Sequence, residues 1–126
     1  MRLLTAFGVP DSPARVDPPS RPPLRIGAVQ LAWNPDAAEH RRALGEGVRT
    51  ATGEGAALVC LQELTLSPYF AISPDGANGS VVPELLPGGP THELAAELAA
   101  ETGVPVHASL YEAASDDGLG FNTAIV

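Results

Sequence analysis

The sequence predicts an α/β fold in which parallel βαβ units end in an antiparallel hairpin. Three observations carry this. Short apolar, partly β-branched runs at 24–31, 56–62 and 104–111 alternate with two longer stretches whose apolar residues recur at helical spacing. Each helical stretch is bracketed by start and stop residues. A polar turn, Ser115-Asp116-Asp117-Gly118, separates the third run from a fourth at 121–126. Strands joined through a helix form right-handed parallel units, and the short turn makes the last pair antiparallel.

Residues 1–23 form the lead-in. Five Pro fall between 11 and 23 among alternating charges, and this segment is expected to be an extended, disordered tail. The first strand, LRIGAVQL, reads as buried. Asn34-Pro35-Asp36 then signals a helix start, with Asp36 and Glu39 at its positive end. Ala37, Leu44, Val48 and Ala51 are its expected inner stripe, and His40, Arg41, Arg42, Glu46 and Arg49 its wet side. Gly53 and Gly55 stop it. Gly45 and Gly47 weaken it by roughly 1 kcal/mol each relative to Ala, so tertiary packing must hold it. After the second strand comes a long loop, 64–89, with Pro68, Pro74, Pro83 and Pro87; loops of that length are usually functional or disordered. Thr91 is the expected N-cap of a second helix whose inner stripe is Leu94, Ala95, Leu98 and Thr102, with Gly103 as its stop.

At 126 residues the chain holds at most one domain, 24–126 behind the tail. A net charge of −8 argues against nucleic acid and anionic membrane surfaces as partners. The single Cys excludes an internal disulfide framework, and the N-terminal apolar patch is short for a signal peptide; both lead to an expected cytoplasmic location. All seven basic residues are Arg, so the chain has no lysine.

Glu63 is the leading candidate for chemistry. It ends an apolar strand, LVCLQE, and a carboxylate there needs a partner or a task. In open parallel sheets ligands bind at the carboxyl ends of strands. The Pro68-Tyr69-Phe70 segment is expected to fold over Glu63 and exclude water, which suits a carboxyl to proton transfer. Tyr69 and Phe70 either line a pocket there or anchor the loop to the core. Cys60 alternates to the other face from Glu63 and lies among Leu58, Val59 and Leu61, so it reads as a small hydrophobe. His40, His92 and His107 have no metal-ligand spacing, and no metal is expected; His107 reads as a satisfied core residue. Ser109 and Thr65 lack a neighbouring base. Glu112 ends the third strand and either faces the same crevice or serves a structural hydrogen bond.

The segment Gln-Glu-Leu-Thr-Leu-Ser-Pro-Tyr-Phe resembles the first catalytic motif of the nitrilase superfamily of carbon–nitrogen hydrolases, closest to its N-carbamoylputrescine amidase branch. LRIGAVQL, with Gln30, is similar to the family's first strand. GGPTHELAAELAAETGVPVHASLYE is similar to its next helix–strand unit, and GFNTAIV to the segment that leads toward the catalytic Lys. The resemblance implies an α-β-β-α sandwich of which this chain is the N-terminal part, and cofactor-free hydrolysis of a small amide or N-carbamoyl amine by a homo-oligomer. It also implies a Glu–Lys–Cys triad in which Glu is general base and then general acid, Lys stabilises the oxyanion and Cys forms a thioester. Only Glu63 maps onto that triad. No Lys is present and Cys60 does not match the nucleophile's position, so this chain by itself is expected to be inactive.

The apolar ending Thr-Ala-Ile-Val is an unblunted strand, which leads to the expectation of a truncated piece of a longer protein. The rival expectation is a complete, non-catalytic α/β binding module, which strand–helix alternation fits equally well.

Overall fold

The computed structural model describes residues 2–8, 11–15, 17–18, 20–74, 76, 81–115 and 120–126. Its elements are β1 (Ile26–Ala28), α1 (Ala37–Gly53), β2 (Leu58–Cys60), a 3₁₀ turn (Phe70–Ile72), α2 (Pro90–Thr102), β3 (Val106–Glu112) and β4 (Phe121–Ile125). The strands form one sheet in sequence order. β1, β2 and β3 are parallel, and β4 returns antiparallel to β3. The α/β class, the parallel units and the terminal hairpin are those the sequence predicts.

Both helices pack on one face of the sheet. Leu44 and Val48 of α1 and Leu94, Ala95 and Leu98 of α2 share a buried cluster with Val59, Leu61, Val106 and Ala108. Alternation along β3 sends Val106 and Ala108 into this layer, and Leu110, next in the alternation, is buried as well. His107, Ser109 and Tyr111 take the opposite face, which carries no helix among the described residues.

The ladders are shorter than the apolar runs. Leu24 and Ile26 are exposed, and β1 pairs with β2 only from Ile26↔Leu58 to Ala28↔Cys60. Single bonds extend the pairing, Val29 N–H to Cys60 O (2.9 Å) and Leu61 N–H to His107 O (2.9 Å). The next rung is a side chain: Gln62 Oε1 accepts from Leu31 N–H at 2.7 Å. A side-chain rung ends regular pairing because it replaces one backbone carbonyl and leaves the strands free to part.

Helix α1 starts where its cap chemistry puts it. Asp36 Oδ1 accepts from Glu39 N–H at 3.0 Å, and Asn34 Oδ1 accepts from Asp36 N–H at 3.0 Å. Two expectations for its faces are corrected. Ala37 is exposed, because it sits in the first turn before the helix meets the sheet. His40 is 2% exposed instead of wet. It lies one helical turn before Leu44 and two before Val48, so it belongs to the buried stripe. Its Nε2 lies 3.0 Å from Thr65 O, which can only accept, so the ring has a partner in the core.

The helix rests on β1 at glycine distance. A Cβ at Gly47 would lie 2.5 Å from Val29 Cγ1, and one at Gly27 would lie 2.6 Å from Ala51 Cβ. The helix-weakening Gly47 is therefore what allows the layer to close. Helix α2 begins one residue before the expected cap. Gly89 is the N-cap and Pro90 takes the first position. Thr91 is buried instead of capping; its N–H and its hydroxyl each donate to the Glu84 carboxylate at 2.7 Å. Glu84 also pairs by backbone with β3, donating to Tyr111 O (2.7 Å) and accepting from Ala113 N–H (2.8 Å). Gly103 ends α2 at φ +69°.

Most of the expected turn at Ser115-Asp116-Asp117-Gly118 lies outside the described residues. The described part of 1–23 has no helix or strand; Phe7 stacks under the Arg25 guanidinium at 5.0 Å. Among the described residues no helix is long and apolar enough to cross a membrane.

Gly47→Ala tests the close approach. Helix propensity favours Ala by up to about 1 kcal/mol, but the methyl collides with Val29. The expected net result is a destabilisation of about 1–3 kcal/mol, the usual penalty for added core volume, read as a lower denaturation midpoint.

Candidate active site

The chain leaves β2 through a tightly specified turn. Leu64 has φ +51°, a left-handed backbone that costs a residue with a Cβ roughly 1–2 kcal/mol. It is 3% exposed, and its N–H donates to Ser109 Oγ at 3.3 Å. Thr65, fully buried, then clamps the turn to β3. Its N–H donates to Ser109 O (2.8 Å), its hydroxyl donates to Gln62 O (2.9 Å), and its Oγ1 accepts from Ser109 N–H (3.1 Å). With both flanks held, Glu63 stands at the outer tip of the turn, beyond the carboxyl end of β2. Strain that the surroundings over-determine is a common property of functional sites.

Glu63 borders a hollow of about 300 Å³ together with Gln30, Leu31, Trp33, Gln62, Ser67 and Tyr69. Its carboxylate has one hydrogen-bond partner and one close neighbour. Asn122 Nδ2 on β4 donates to Oε1 at 2.6 Å. Tyr69 lines the same hollow, and its phenol pKa is raised, by hydrogen bonding toward Glu63 first, then by the carboxylate's charge and by burial. Ionising Tyr69 there would set two negative charges side by side.

The expected cover over Glu63 is corrected. The carboxylate is exposed, Tyr69 is 46% exposed, and neither excludes water from the other. The loop is anchored elsewhere, by Phe70, whose ring meets Tyr111 edge-on at 5.1 Å between centroids. Tyr69 thus lines the hollow with Glu63, and Phe70 does not. The Asn122 hydrogen bond, not burial, sets the surroundings of this carboxylate.

The remaining candidates fall apart from it. Cys60 is a half-buried free thiol whose register partner is His107, and it does not line the hollow. His107 is not the satisfied core residue expected: its Nδ1 is buried and has no hydrogen-bond partner. The Glu112 carboxylate accepts from Thr123 Oγ1 at 2.5 Å, a bond across the hairpin. Among the described residues no three His, Cys, Asp or Glu gather as a metal site. A second cavity of about 500 Å³ opens between the starts of the two helices, and Trp33 and Ser67 line both it and the Glu63 hollow. Sequence reasoning missed Asn122, because an exposed polar residue on an edge strand reads as solvent-facing.

Residues 25–126 match the family model described as carbon-nitrogen hydrolase. The chain belongs to the carbon-nitrogen hydrolase family. The match covers every element of the sheet, which supports the nitrilase superfamily and enzymes that hydrolyse C–N bonds. No curated protein matches this carbon-nitrogen hydrolase chain.

The Tyr69–Glu63 contact is directly measurable. Glu63→Gln removes the charge, so Tyr69 is expected to titrate at lower pH, closer to an ordinary tyrosine. Phenolate absorbance, with Tyr69→Phe subtracted to remove Tyr111, follows it. An unchanged titration in Glu63→Gln would show that the two side chains do not meet.

Proposed function

We propose that Glu63 is the acid–base carboxylate of a Glu–Lys–Cys amidase acting on a small amide or N-carbamoyl amine. The observation that carries this is the placement of Glu63. In a chain matching the carbon-nitrogen hydrolase family, it stands at the strand's carboxyl end, borders a hollow that Tyr69 also lines and is held by a hydrogen bond from Asn122. An exposed carboxylate in that position can take a proton from a thiol brought to the hollow. It can then return that proton to a departing amine. The ammonium and the thiol are supplied by sequence outside this chain, since it has no Lys and Cys60 lies away from the hollow.

Ser67-Pro68-Tyr69-Phe70 and the net charge of −8 support an N-carbamoyl amine resembling carbamoylputrescine as substrate. Hydrolysis of such a substrate releases ammonia, carbon dioxide and the free amine. The enzyme works in the cytoplasm as a homo-oligomer, needs no cofactor, and acts through Glu63 with Tyr69 shaping the substrate side and Phe70 anchoring the loop that carries it.

The test is ammonia release by the protein expressed from its complete reading frame. Glu63→Gln is expected to lower kcat roughly 10²- to 10⁴-fold, the usual contribution of general acid–base catalysis, while the 126-residue chain releases none. Undiminished turnover by Glu63→Gln would remove this carboxylate from the mechanism.

A further inference from the structure

We infer that Asn122 is the positioning residue for Glu63, and that the β3–β4 hairpin is the device that aims the carboxylate; this rests on the general-base reading of Glu63 given above. A chain of hydrogen bonds, each with a determined direction, links the turn to the carboxylate.

It begins at Leu64, whose N–H can only donate, and donates to Ser109 Oγ at 3.3 Å. The Ser109 hydroxyl therefore has its own proton left to give, and Asn122 Oδ1 lies 3.2 Å away to accept it. An amide whose oxygen is engaged on one side must present its NH₂ on the other. That NH₂ meets Glu63 Oε1 at 2.6 Å. A carboxylate can only accept, so the chain closes with every donor matched to an acceptor. Reversing the Asn122 amide would set its oxygen against the carboxylate and its NH₂ against a hydroxyl already aimed at it. The order Leu64 N–H, Ser109 Oγ, Asn122, Glu63 is thus the one that satisfies all four groups.

The chain also starts and ends on adjacent residues. Leu64 and Glu63 are neighbours in the strained turn, one held by its backbone and the other by its side chain, both through the same hairpin. Ser109 is 5% exposed and its backbone is fixed to Thr65 on both sides, so the anchor point does not drift. A short bond to a charged acceptor is among the stronger hydrogen bonds. Asn122 is well suited to this work because it is neutral: it restrains the carboxylate without the full positive charge that would hold on to it against a proton. Among the residues bordering the hollow, Glu63 and Tyr69 are the groups that titrate.

Two measurements test the role. The first needs no turnover: in the NMR spectrum, the Asn122 side-chain amide should shift as Glu63 is protonated in acid, and should lose that response in Glu63→Gln. The second uses the protein from its complete reading frame. Asn122→Leu should lower kcat roughly 10- to 100-fold with little change in KM, the scale of one lost bond to a charged group. Asn122→Asp, nearly the same shape, should be poorly active near neutral pH. It should recover as the pH falls, because a protonated Asp can donate to Glu63 as the amide does. An Asn122 amide indifferent to acid, or an Asn122→Asp pH–rate profile that overlays the wild type, would overturn the inference. Full activity in Glu63→Gln would instead sink the general-base reading, and the amide titration would still report whether the contact exists.

Discussion

The double tie between Thr65 and Ser109 is the constraint on which the rest of the site depends. One main-chain bond runs from Thr65 N–H to Ser109 O, and one returns from Ser109 N–H to the Thr65 hydroxyl. Both residues are buried, so breaking either bond would strand a polar group away from water at about 1–3 kcal/mol. The tie forces the chain leaving β2 to turn beside β3 instead of continuing as a strand. That turn obliges Leu64 to adopt its left-handed backbone and leaves Glu63 at the outside of the bend. His40 adds a third attachment by bonding Thr65 O from the helix layer. One residue therefore joins sheet, helix and site.

Much of the fold is legible in the residues. Helical spacing places both helices; Asp36 turns out to be the cap within the expected start signal Asn34-Pro35-Asp36, and Gly103 acts as the expected stop. The failures have local physical causes. The first two strands look longer than they are, because an apolar run says nothing about where a side chain such as Gln62 will replace a backbone rung. Thr91 has the composition of an N-cap, yet the loop delivers Glu84 to it from outside the helix, and only the tertiary path reveals that. His40 is a failure of a different kind. Its spacing to Leu44 and Val48 announces the buried face, and polarity outweighs it in a reading by residue type.

The site divides in the same way. Glu63 is visible because a carboxylate at the end of an apolar strand conflicts with its surroundings. Tyr69 is visible as part of the neighbouring motif. Asn122 is invisible because its role needs the register of β4 against β3, with Asn122 opposite Tyr111, and nothing nearby in sequence encodes that pairing. Proximity in sequence likewise misleads about Phe70. It is adjacent to Tyr69, but its ring settles on Tyr111, so one aromatic tethers the loop while the other lines the hollow with the carboxylate.

The bare backbones of Gly27 and Gly47 reach further than packing. They let α1 lie nearly flush on the first strand, and the same helix carries, at its end toward the Glu63 turn, the imidazole that grips Thr65. Helix α1 thus behaves as a rigid lever with its fulcrum on the sheet and its tip on the turn. Thickening the fulcrum by a single methyl would tilt the whole rod. Sequence drift at these two glycines is therefore coupled to the aim of a carboxylate that neither of them touches.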